Sequence, residues 1–191
     1  MKFSILMGSP RKEGNTISIL RPFMDELKAQ GHETDLLWLY DMDIAGCVAC
    51  RTCQKDWSIF GCKFKDDMQK VFDSALAADH IVLATPIYSW YCTAPMKAAL
   101  DRLVYGMNKY YGDEKGPAIW AGKKLSLVVT CGYKPEKGAD VFDSGMQRYC
   151  KHSQLIYAGM YAERDLGYKD VFMNDEKKQN AKNFAQTLIK A

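Results

Sequence analysis

The chain of 191 residues has the composition of an ordinary folded protein, with 48% hydrophobic residues, 26% charged residues and a formal net charge of +3. This net charge is too small, and the acidic and basic residues are too evenly distributed along the chain, to predict binding to nucleic acid. No apolar run approaches the roughly 20 residues of a membrane span, and the apolar run at the N-terminus is too short for a signal peptide. We therefore expect a single cytoplasmic domain over residues 1–191, with neither a nucleic-acid nor a membrane partner.

Short apolar runs alternate along the chain with longer segments of helical period. In chain order they predict a strand at 2–7, a helix at 16–31, a strand at 33–39, a helix at 66–79, a strand at 80–85, a helix at 94–106, a strand at 124–130, a helix at 139–153, a strand at 155–162 and a helix at 174–191. Residues 109–124 are the one long irregular stretch, which we interpret as an insertion before the fourth strand.

The predicted strands are apolar on both faces, which is typical of a parallel sheet with helices on both sides. Two doubly wound arrangements have this alternation: the six-stranded dinucleotide-binding fold and the five-stranded order 2-1-3-4-5. Five predicted strands favour the second. We expect an α/β three-layer sandwich of the flavodoxin-like type, with a five-stranded parallel sheet in the order 2-1-3-4-5.

The loop after the first strand, "GSPRKEGNT" at residues 8–16, carries polar groups at the edge where such sheets bind ligands. The hydroxyls of Ser9 and Thr16, the amide of Asn15 and the charge of Arg11 suit a phosphate monoester, and the backbone N–H groups that open the next helix add to an anion site. The loop lacks the glycine patterns of dinucleotide and triphosphate loops. The structural alternative is a turn followed by an Asn or Thr helix cap.

Two further loops lie at the same predicted edge. Residues 85–102 follow the third strand and crowd Tyr88, Trp90 and Tyr91 into a short turn, where a flat aromatic cofactor could lie, although such aromatics are as often core. Residues 130–138 follow the fourth strand, and Gly132 allows close approach of the backbone. Phosphate donors, an aromatic slot and a glycine turn together describe a site for flavin mononucleotide (FMN).

Four of the seven cysteines lie close together: Cys47, Cys50 and Cys53 at successive C-x-x-C spacing, and Cys62 after a gap of eight residues. In a reducing compartment such clusters indicate metal or redox chemistry more often than disulfides. A [4Fe-4S] cluster on these four thiolates and free, redox-active thiols near a flavin both remain open, and zinc is the least favoured because only one compact run exists. We expect Cys92, Cys131 and Cys150, on other elements, to fill space.

No side chain is predicted to act as a catalytic acid or base, because hydride transfer to a flavin requires none. His32, His80 and His152 lie on separate predicted elements, where surface or internally satisfied histidines are the expectation. Asp66 and Asp67 are predicted only to begin a helix, whose positive end favours carboxylates.

Three groups of residues together resemble a known family: G-S-P-R-x-x-G-N-T, then C-x-x-C-x-x-C followed by G-C-x-x-x-D-D-M, then T-P-I-Y with a later M-K-x-x-x-D-R. This combination is similar to the flavodoxin-like NAD(P)H-dependent FMN reductases, in particular to the branch that contains the iron–sulfur flavoproteins. In that branch the gap before the fourth cysteine is shorter. The motifs cover residues 1–103, and the pattern of strands and helices covers the rest.

The resemblance implies that Ser9, Arg11, Asn15 and Thr16 hold the FMN phosphate. It implies that the isoalloxazine ring is lined by Pro86, Ile87, Tyr88, Ser89 and Trp90, with Cys131, Gly132 and Tyr133 on its far side. It further implies a homodimer or homotetramer, to whose contact the stretch "VYGMNKYYG" at residues 104–112 would contribute.

The predicted function is that of an NAD(P)H oxidoreductase that passes electrons through FMN to a small acceptor such as a quinone, a flavin, or a nitro or azo compound. The alternative is an iron–sulfur or flavodoxin-type electron carrier that exchanges electrons with a ferredoxin-like protein. A net charge of +3 and Arg11 in the phosphate loop argue against a plain flavodoxin, since flavodoxins are acidic.

Overall fold

The computed structural model describes residues 1–167 and 170–190. Its sheet comprises β1 (Lys2–Met7), β2 (Glu33–Trp38), β3 (His80–Pro86), β4 (Lys124–Cys131) and β5 (Ile156–Arg164). Every neighbouring pair is parallel, and the order is β2-β1-β3-β4-β5. The predicted fold class and strand order are confirmed.

The helices are α1 (Asn15–Ala29), α2 (Met68–Ala77), α3 (Ala94–Met107), α4 (Pro135–Gly138), α5 (Asp140–His152) and α6 (Asp175–Lys190). Short 3₁₀ helices at Leu39–Asp41 and Thr52–Gln54 and the four-residue α4 were not predicted, because elements of this length have no hydrophobic period. The predicted closing helix extends to Ala191, which lies outside the described residues.

Hydrophobic clusters cover both faces of the sheet. Ile5 and Met7 of β1 pack in the cluster under α1 and α6, whereas Leu6 between them packs in the cluster under α2, α3 and α5. This alternation follows from the pleat of a strand, in which successive side chains point to opposite faces. The sheet is therefore the central layer of a three-layer sandwich.

All five strands were predicted from apolar runs, but the two edge strands are less completely buried than the three central strands. The residues of β1, β3 and β4 are almost all buried, but those of β2 and β5 are mostly half-buried. An edge strand has a neighbour on one side only, so its side chains are covered less completely. In the described part of the chain, no helix has the length and apolar character to cross a membrane.

Candidate functional site

A pocket with a cavity volume of about 170 Å³ opens at the carboxyl edge of the sheet. It lies where β1 and β3 end, which is the point where the strand order reverses. Loops that follow four different strands contribute to its wall, which is lined by Ser9, Arg11, Gly14, Asn15, Thr16, Pro86, Ile87, Tyr88, Thr130, Cys131, Gly132, Asp165 and Gly167. We call it the sheet-edge pocket.

The loop after β1 is fixed by hydrogen bonds to three other parts of the chain. The N–H of Gly8 donates to the carbonyl of Ala84 (2.8 Å), and the Thr93 hydroxyl donates to the carbonyl of Gly8 (2.7 Å). The indole N–H of Trp38 donates to the carbonyl of Ser9 (2.6 Å). The polar side chains of this loop are therefore presented by a rigid backbone.

Donor groups converge at the start of α1. The N-cap residue is Gly14, and no side chain caps the helix, so the alternative in which Asn15 or Thr16 serves as the cap is wrong. The first N–H groups of a helix have no partner within it and attract anions. A Cβ at Gly14 would lie 2.9 Å from Cβ of Arg11, so glycine permits this close approach. The Ser9 hydroxyl accepts from the N–H of Arg11 (3.2 Å) and keeps its own proton to donate.

The buried hydroxyls of Thr16 and Thr130 form a hydrogen bond of 2.8 Å that joins α1 to the end of β4. Whichever hydroxyl donates, the other retains a proton. Both residues line the sheet-edge pocket. The pair can therefore offer one further hydrogen bond to a ligand there.

Residues Tyr88 to Tyr91 form a tight turn at the other side of the pocket. The backbones of Tyr88 and Tyr91 exchange hydrogen bonds (2.8 and 3.0 Å), and the two residues between them have positive φ: Ser89 at 50° and Trp90 at 63°. These are the features of a type I′ turn, which normally contains asparagine or glycine. Serine and tryptophan in these conformations are strained, which is typical of functional sites.

Three predicted ring-binding residues lie outside the sheet-edge pocket. Ser89, Trp90 and Tyr133 line an adjoining pocket of about 200 Å³, which shares Ile87, Cys131 and Gly132 with the first. The rings of Trp90 and Tyr133 stack with centroids 5.9 Å apart and planes 12° from parallel, and the Trp90 indole donates to the carbonyl of Lys137 (3.1 Å). All the other predicted FMN residues line the sheet-edge pocket itself.

Sequence reasoning missed the contribution of the segment after β5. Asp165 and Gly167 line the pocket; the N–H of Asp165 donates to the carbonyl of Cys131 (2.8 Å), and its carboxylate accepts from the N–H of Gly167 (2.9 Å). The predicted fifth strand stopped at residue 162, whereas β5 continues to Arg164. Had the strand been extended, Asp165 would have been placed at the sheet edge.

The three cysteines outside residues 47–62 are buried and fill space in the core. Burial raises the pKa of Cys92 to about 12 and that of Cys131 to about 11, so both remain neutral thiols near pH 7. Cys150 is buried as well, and burial raises its pKa to about 12. This agrees with the expected space-filling role, although Cys131 also forms part of the pocket wall.

Residues 45–66, here called the cysteine segment, connect β2 to α2 and form a second site. A depression with a cavity volume of about 30 Å³, the cysteine pocket, is lined by Cys47, Cys50, Cys53 and Cys62 and by aromatic rings that include Phe60, Phe64 and Phe72. All four thiols are free. Among the residues that the structure describes, no three histidine, cysteine or acidic side chains are drawn together as a set that could hold a metal ion. The two pockets share no lining residue.

A buried ion pair closes the cysteine segment. The guanidinium of Arg102 on α3 pairs with the Asp66 carboxylate, and their side chains are only 3% and 9% exposed. Asp66 also accepts from the N–H groups of Ala45 (3.0 Å) and Met68 (3.3 Å). Burial opposes ionisation of Asp66, but the hydrogen bond from Arg102 holds its pKa below the usual range. Asp66 does lie at the start of α2, as the sequence predicts, but its bonds to Arg102 and Ala45 also link both ends of the segment to α3.

The insertion before β4 supports the cysteine segment. The fully buried ammonium of Lys109 donates to the carbonyls of Cys53 (2.6 Å) and Ile59 (2.7 Å), and the desolvation lowers its pKa. The side chain of Gln54 donates to the carbonyl of Asn108 (3.0 Å) and accepts from the N–H of Tyr111 (3.1 Å). Residues 104–112 were expected at a subunit contact, but Asn108, Lys109 and Tyr111 of this stretch bond to the cysteine segment of the same chain.

The histidines lie apart from these pockets. His80 is buried in the sheet, stacks on Phe3 (5.0 Å, 23°), and shares a hydrogen bond between its Nε2 and the Ser126 hydroxyl (2.9 Å). Burial lowers the pKa of His80 to about 3. His32 contacts the N-terminal amine and His152 the Tyr111 hydroxyl. None of the three lines either pocket, in agreement with the sequence prediction.

Comparisons with known proteins agree with this geometry. Residues 1–143 match the family model of the NADPH-dependent FMN reductases. An iron–sulfur flavoprotein of Methanosarcina thermophila is 33% identical over 125 residues, which are 64% of this chain and 63% of that protein. One from Archaeoglobus fulgidus is 34% identical over 140 residues, 73% of this chain and 59% of that protein. The chain spans less than two thirds of the length of these curated relatives.

A likeness in fold extends over nearly the whole chain. The solved structure of an NAD(P)H:quinone oxidoreductase from Methanothermobacter marburgensis superposes with a TM-score of 0.72 at 17% identity, covering 98% of this chain and 97% of the other. At that identity the comparison concerns the fold alone. Because the family model spans well over half of the sequence, the chain belongs to the NADPH-dependent FMN reductase family.

Proposed function

We propose that this protein is an NAD(P)H-dependent oxidoreductase that binds FMN in the sheet-edge pocket and reduces a small acceptor such as a quinone, a flavin, or a nitro or azo compound. The observation that carries the proposal is the convergence of loops from four strands on one pocket, whose wall contains both anion donors and apolar residues. FMN likewise combines a phosphate with a flat ring. Relatives named iron–sulfur flavoprotein and FMN-dependent NADH:quinone oxidoreductase support this assignment.

The residues at the start of α1 would hold the phosphate. Arg11 supplies charge, Ser9 and the Thr16–Thr130 pair supply hydroxyl protons, and the first N–H groups of α1 complete the donor set. Asn15, the first residue of α1, adds a side-chain amide. A rigid set of donors of this kind fixes one end of a ligand and thereby its orientation.

The less polar residues of the wall would receive the ring. Pro86, Ile87 and Tyr88 contribute from the end of β3, and Cys131 and Gly132 from the end of β4. A Cβ at Gly132 would meet no atom within 4 Å, so the backbone there borders open space. When bound, FMN supplies the redox chemistry by taking up a hydride and passing electrons on. The chain supplies orientation and an apolar surface, and the adjoining pocket beside Trp90 and Tyr133 offers room for a second flat molecule.

Anaerobic reduction tests the proposal. Purified protein is loaded with FMN, mixed with NADH or NADPH, and followed by flavin absorbance. We expect rapid bleaching by at least one nicotinamide and reoxidation by a quinone or an azo dye. Failure to bind FMN would overturn the proposal, and reduction by a reduced ferredoxin but by neither nicotinamide would favour the electron carrier.

A second candidate adds an iron–sulfur group to the flavin. The observation that favours it is that Cys47, Cys50, Cys53 and Cys62 line one pocket with apolar aromatic walls. Thiolates are the ligands of such clusters, and the four thiols would have to move closer together to bind one, because they do not form a metal-binding set as they stand. An iron and sulfide count on anaerobically purified protein tests it. Iron without sulfide, zinc, or unmodified thiols would each contradict the cluster.

We also propose that the protein is a homodimer or homotetramer. Tyr88, Trp90 and Tyr133 are 45%, 48% and 60% exposed around the pocket mouths, and self-association would cover part of this aromatic surface. Light scattering after gel filtration measures the mass in solution, and a monomer at all concentrations would contradict this proposal. A cytoplasmic location stays a prediction from the sequence.

A further inference from the structure

Arg102 connects both ends of the cysteine segment from a single position on α3. Its Nη1 donates to the carbonyl of Ala45 (3.3 Å) and to the Asp66 carboxylate, and its Nη2 donates to the sulfur of Cys62 (3.2 Å). The residue is 4% exposed and lines the cysteine pocket. A positive charge is therefore fixed beside the thiol of Cys62, which is separated from the C-x-x-C run by eight residues.

The third guanidinium nitrogen has no acceptor. In residues 1–167 and 170–190, Nε of Arg102 is buried without a hydrogen-bond partner. A buried donor left unpaired costs about 1–3 kcal/mol, so native structures rarely retain one without a reason. An acceptor bound in the cysteine pocket would satisfy it.

The surroundings favour an acceptor that carries negative charge. Lys109 is buried behind the carbonyls of Cys53 and Ile59, so a second cation lies behind the segment. Phe60, Phe64 and Phe72 form apolar walls that reduce screening by water. The sulfurs of thiolate-bound clusters accept N–H hydrogen bonds, and these bonds and the local charge set the reduction potential.

We propose that Arg102 is a positioning residue for an iron–sulfur group in the cysteine pocket: it fixes the Cys62 sulfur as a ligand and donates a hydrogen bond from Nε to the bound group. Asp66 holds the guanidinium in place and balances its charge while the pocket is empty. This role rests on the iron–sulfur part of the proposed function.

Variants at this position separate charge from geometry. Arg102→Lys keeps a positive charge but cannot form the planar set of hydrogen bonds. Arg102→Met together with Asp66→Asn removes both charges, so that no unpaired carboxylate remains buried. Lys97→Met is the matched control, because Lys97 lies on the same helix in an exposed pair with Asp101. Each protein is reconstituted anaerobically with ferrous iron and sulfide.

Three quantities are measured: the chelator concentration that removes half of the iron, the midpoint potential of the group by a titration followed with electron paramagnetic resonance, and the FMN content. The FMN content reports folding at the sheet edge, because the two pockets share no lining residue. We expect the double variant to hold iron roughly 10- to 100-fold less tightly than the wild type and to have a more negative potential. Arg102→Lys loses affinity with a smaller change of potential, and Lys97→Met behaves like the wild type.

The other outcomes overturn the proposal in distinguishable ways. A double variant that retains FMN, iron affinity and potential shows that Arg102 has no such role, while the cluster stands. Should the double variant fail to fold, Arg102→Lys decides, and wild-type iron affinity in that variant overturns the role. A wild-type protein that binds FMN but takes up neither iron nor sulfide overturns the cluster and the role of Arg102 together.

Discussion

Gly112 of the insertion lies directly against the backbone of Gln54 in the cysteine segment: a Cβ at Gly112 would be 2.5 Å from the Gln54 carbonyl oxygen. A contact this short leaves no room for any side chain, and the backbone on the other side cannot rotate away as a side chain could. The two irregular stretches of the chain therefore pack backbone to backbone.

Gly112→Ala is expected to destabilise the protein by about 1–3 kcal/mol, because the added methyl group forces the two backbones apart. Gly61→Ala, in the same segment, is the control, since a Cβ there meets no atom within 4 Å, and we expect a change below about 0.5 kcal/mol. Urea unfolding followed by circular dichroism gives both free energies. Equal effects of the two substitutions would contradict the packing described here.

Arg11→Met is expected to weaken FMN binding by about 10- to 100-fold, the value of a charge-assisted hydrogen bond of roughly 1.5–3 kcal/mol. Riboflavin, which lacks the phosphate, should bind the variant and the wild type equally. Lys12→Met is the control, because Lys12 pairs with Asp41 and does not line the pocket. Fluorescence titration of the apoprotein measures each affinity. Parallel losses for FMN and riboflavin would show that Arg11 does not face the phosphate.

The buried hydroxyl pair of Thr16 and Thr130 predicts non-additive effects on stability. Thr16→Val or Thr130→Val alone leaves the partner hydroxyl unpaired at a cost of about 1–3 kcal/mol. The double variant leaves no orphan, so its free energy of unfolding should exceed the value expected from adding the two single changes. Denaturant unfolding of the wild type, the two single variants and the double variant, all without flavin, gives the four free energies of this double-mutant cycle. Strict additivity would mean that the hydrogen bond makes no net contribution.

The strained turn at Ser89 and Trp90 predicts a stabilising substitution. Ser89→Asn should raise the free energy of unfolding by roughly 0.5–1 kcal/mol, because asparagine tolerates positive φ and is preferred in type I′ turns. Ser89→Val should lower it, since a β-branched residue is disfavoured in that conformation. Both variants are compared by thermal and urea unfolding. If asparagine is no better than valine, the turn does not have the assigned backbone conformation.

The burial of His80 predicts that the free energy of unfolding decreases in acid. Its pKa is lowered from 6.5 to about 3 by burial, so the unfolded chain binds a proton that the folded chain excludes. The stability that depends on neutral His80 is complete above pH 6.5 and is lost as the pH falls toward about 3. The slope from this one group approaches about 1.4 kcal/mol per pH unit.

His80→Gln keeps a donor and acceptor for Ser126 but does not titrate. Its free energy of unfolding should therefore fall less steeply with acid than that of the wild type. Urea unfolding at several pH values below neutrality measures both slopes. Identical slopes would show that His80 is not kept neutral by its burial.

Local patterns were sufficient where the physical cause is local. The apolar runs of β1, β3 and β4 predicted the central strands, because residues buried on both faces leave a continuous hydrophobic signal. The polar groups of residues 8–16 predicted the donors at the start of α1, because one short loop contains them all. The edge strands, half-buried and partly polar, gave a weaker signal, and the end of β5 was placed too early.

The sequence by itself determined the fold, the sheet edge that carries the candidate site and the residue types available there, since periodicity and strand order follow from short-range pattern and chain connectivity. Only the tertiary structure decided that Asp66 pairs with Arg102, that Thr16 bonds to Thr130, and that Lys109 supports the carbonyls of Cys53 and Ile59. These partners lie far apart in the chain, and their choice depends on which side chains the packed helices and loops bring within a few ångströms. The hydrogen bonds of a buried polar group are settled by that packing, which no local pattern encodes.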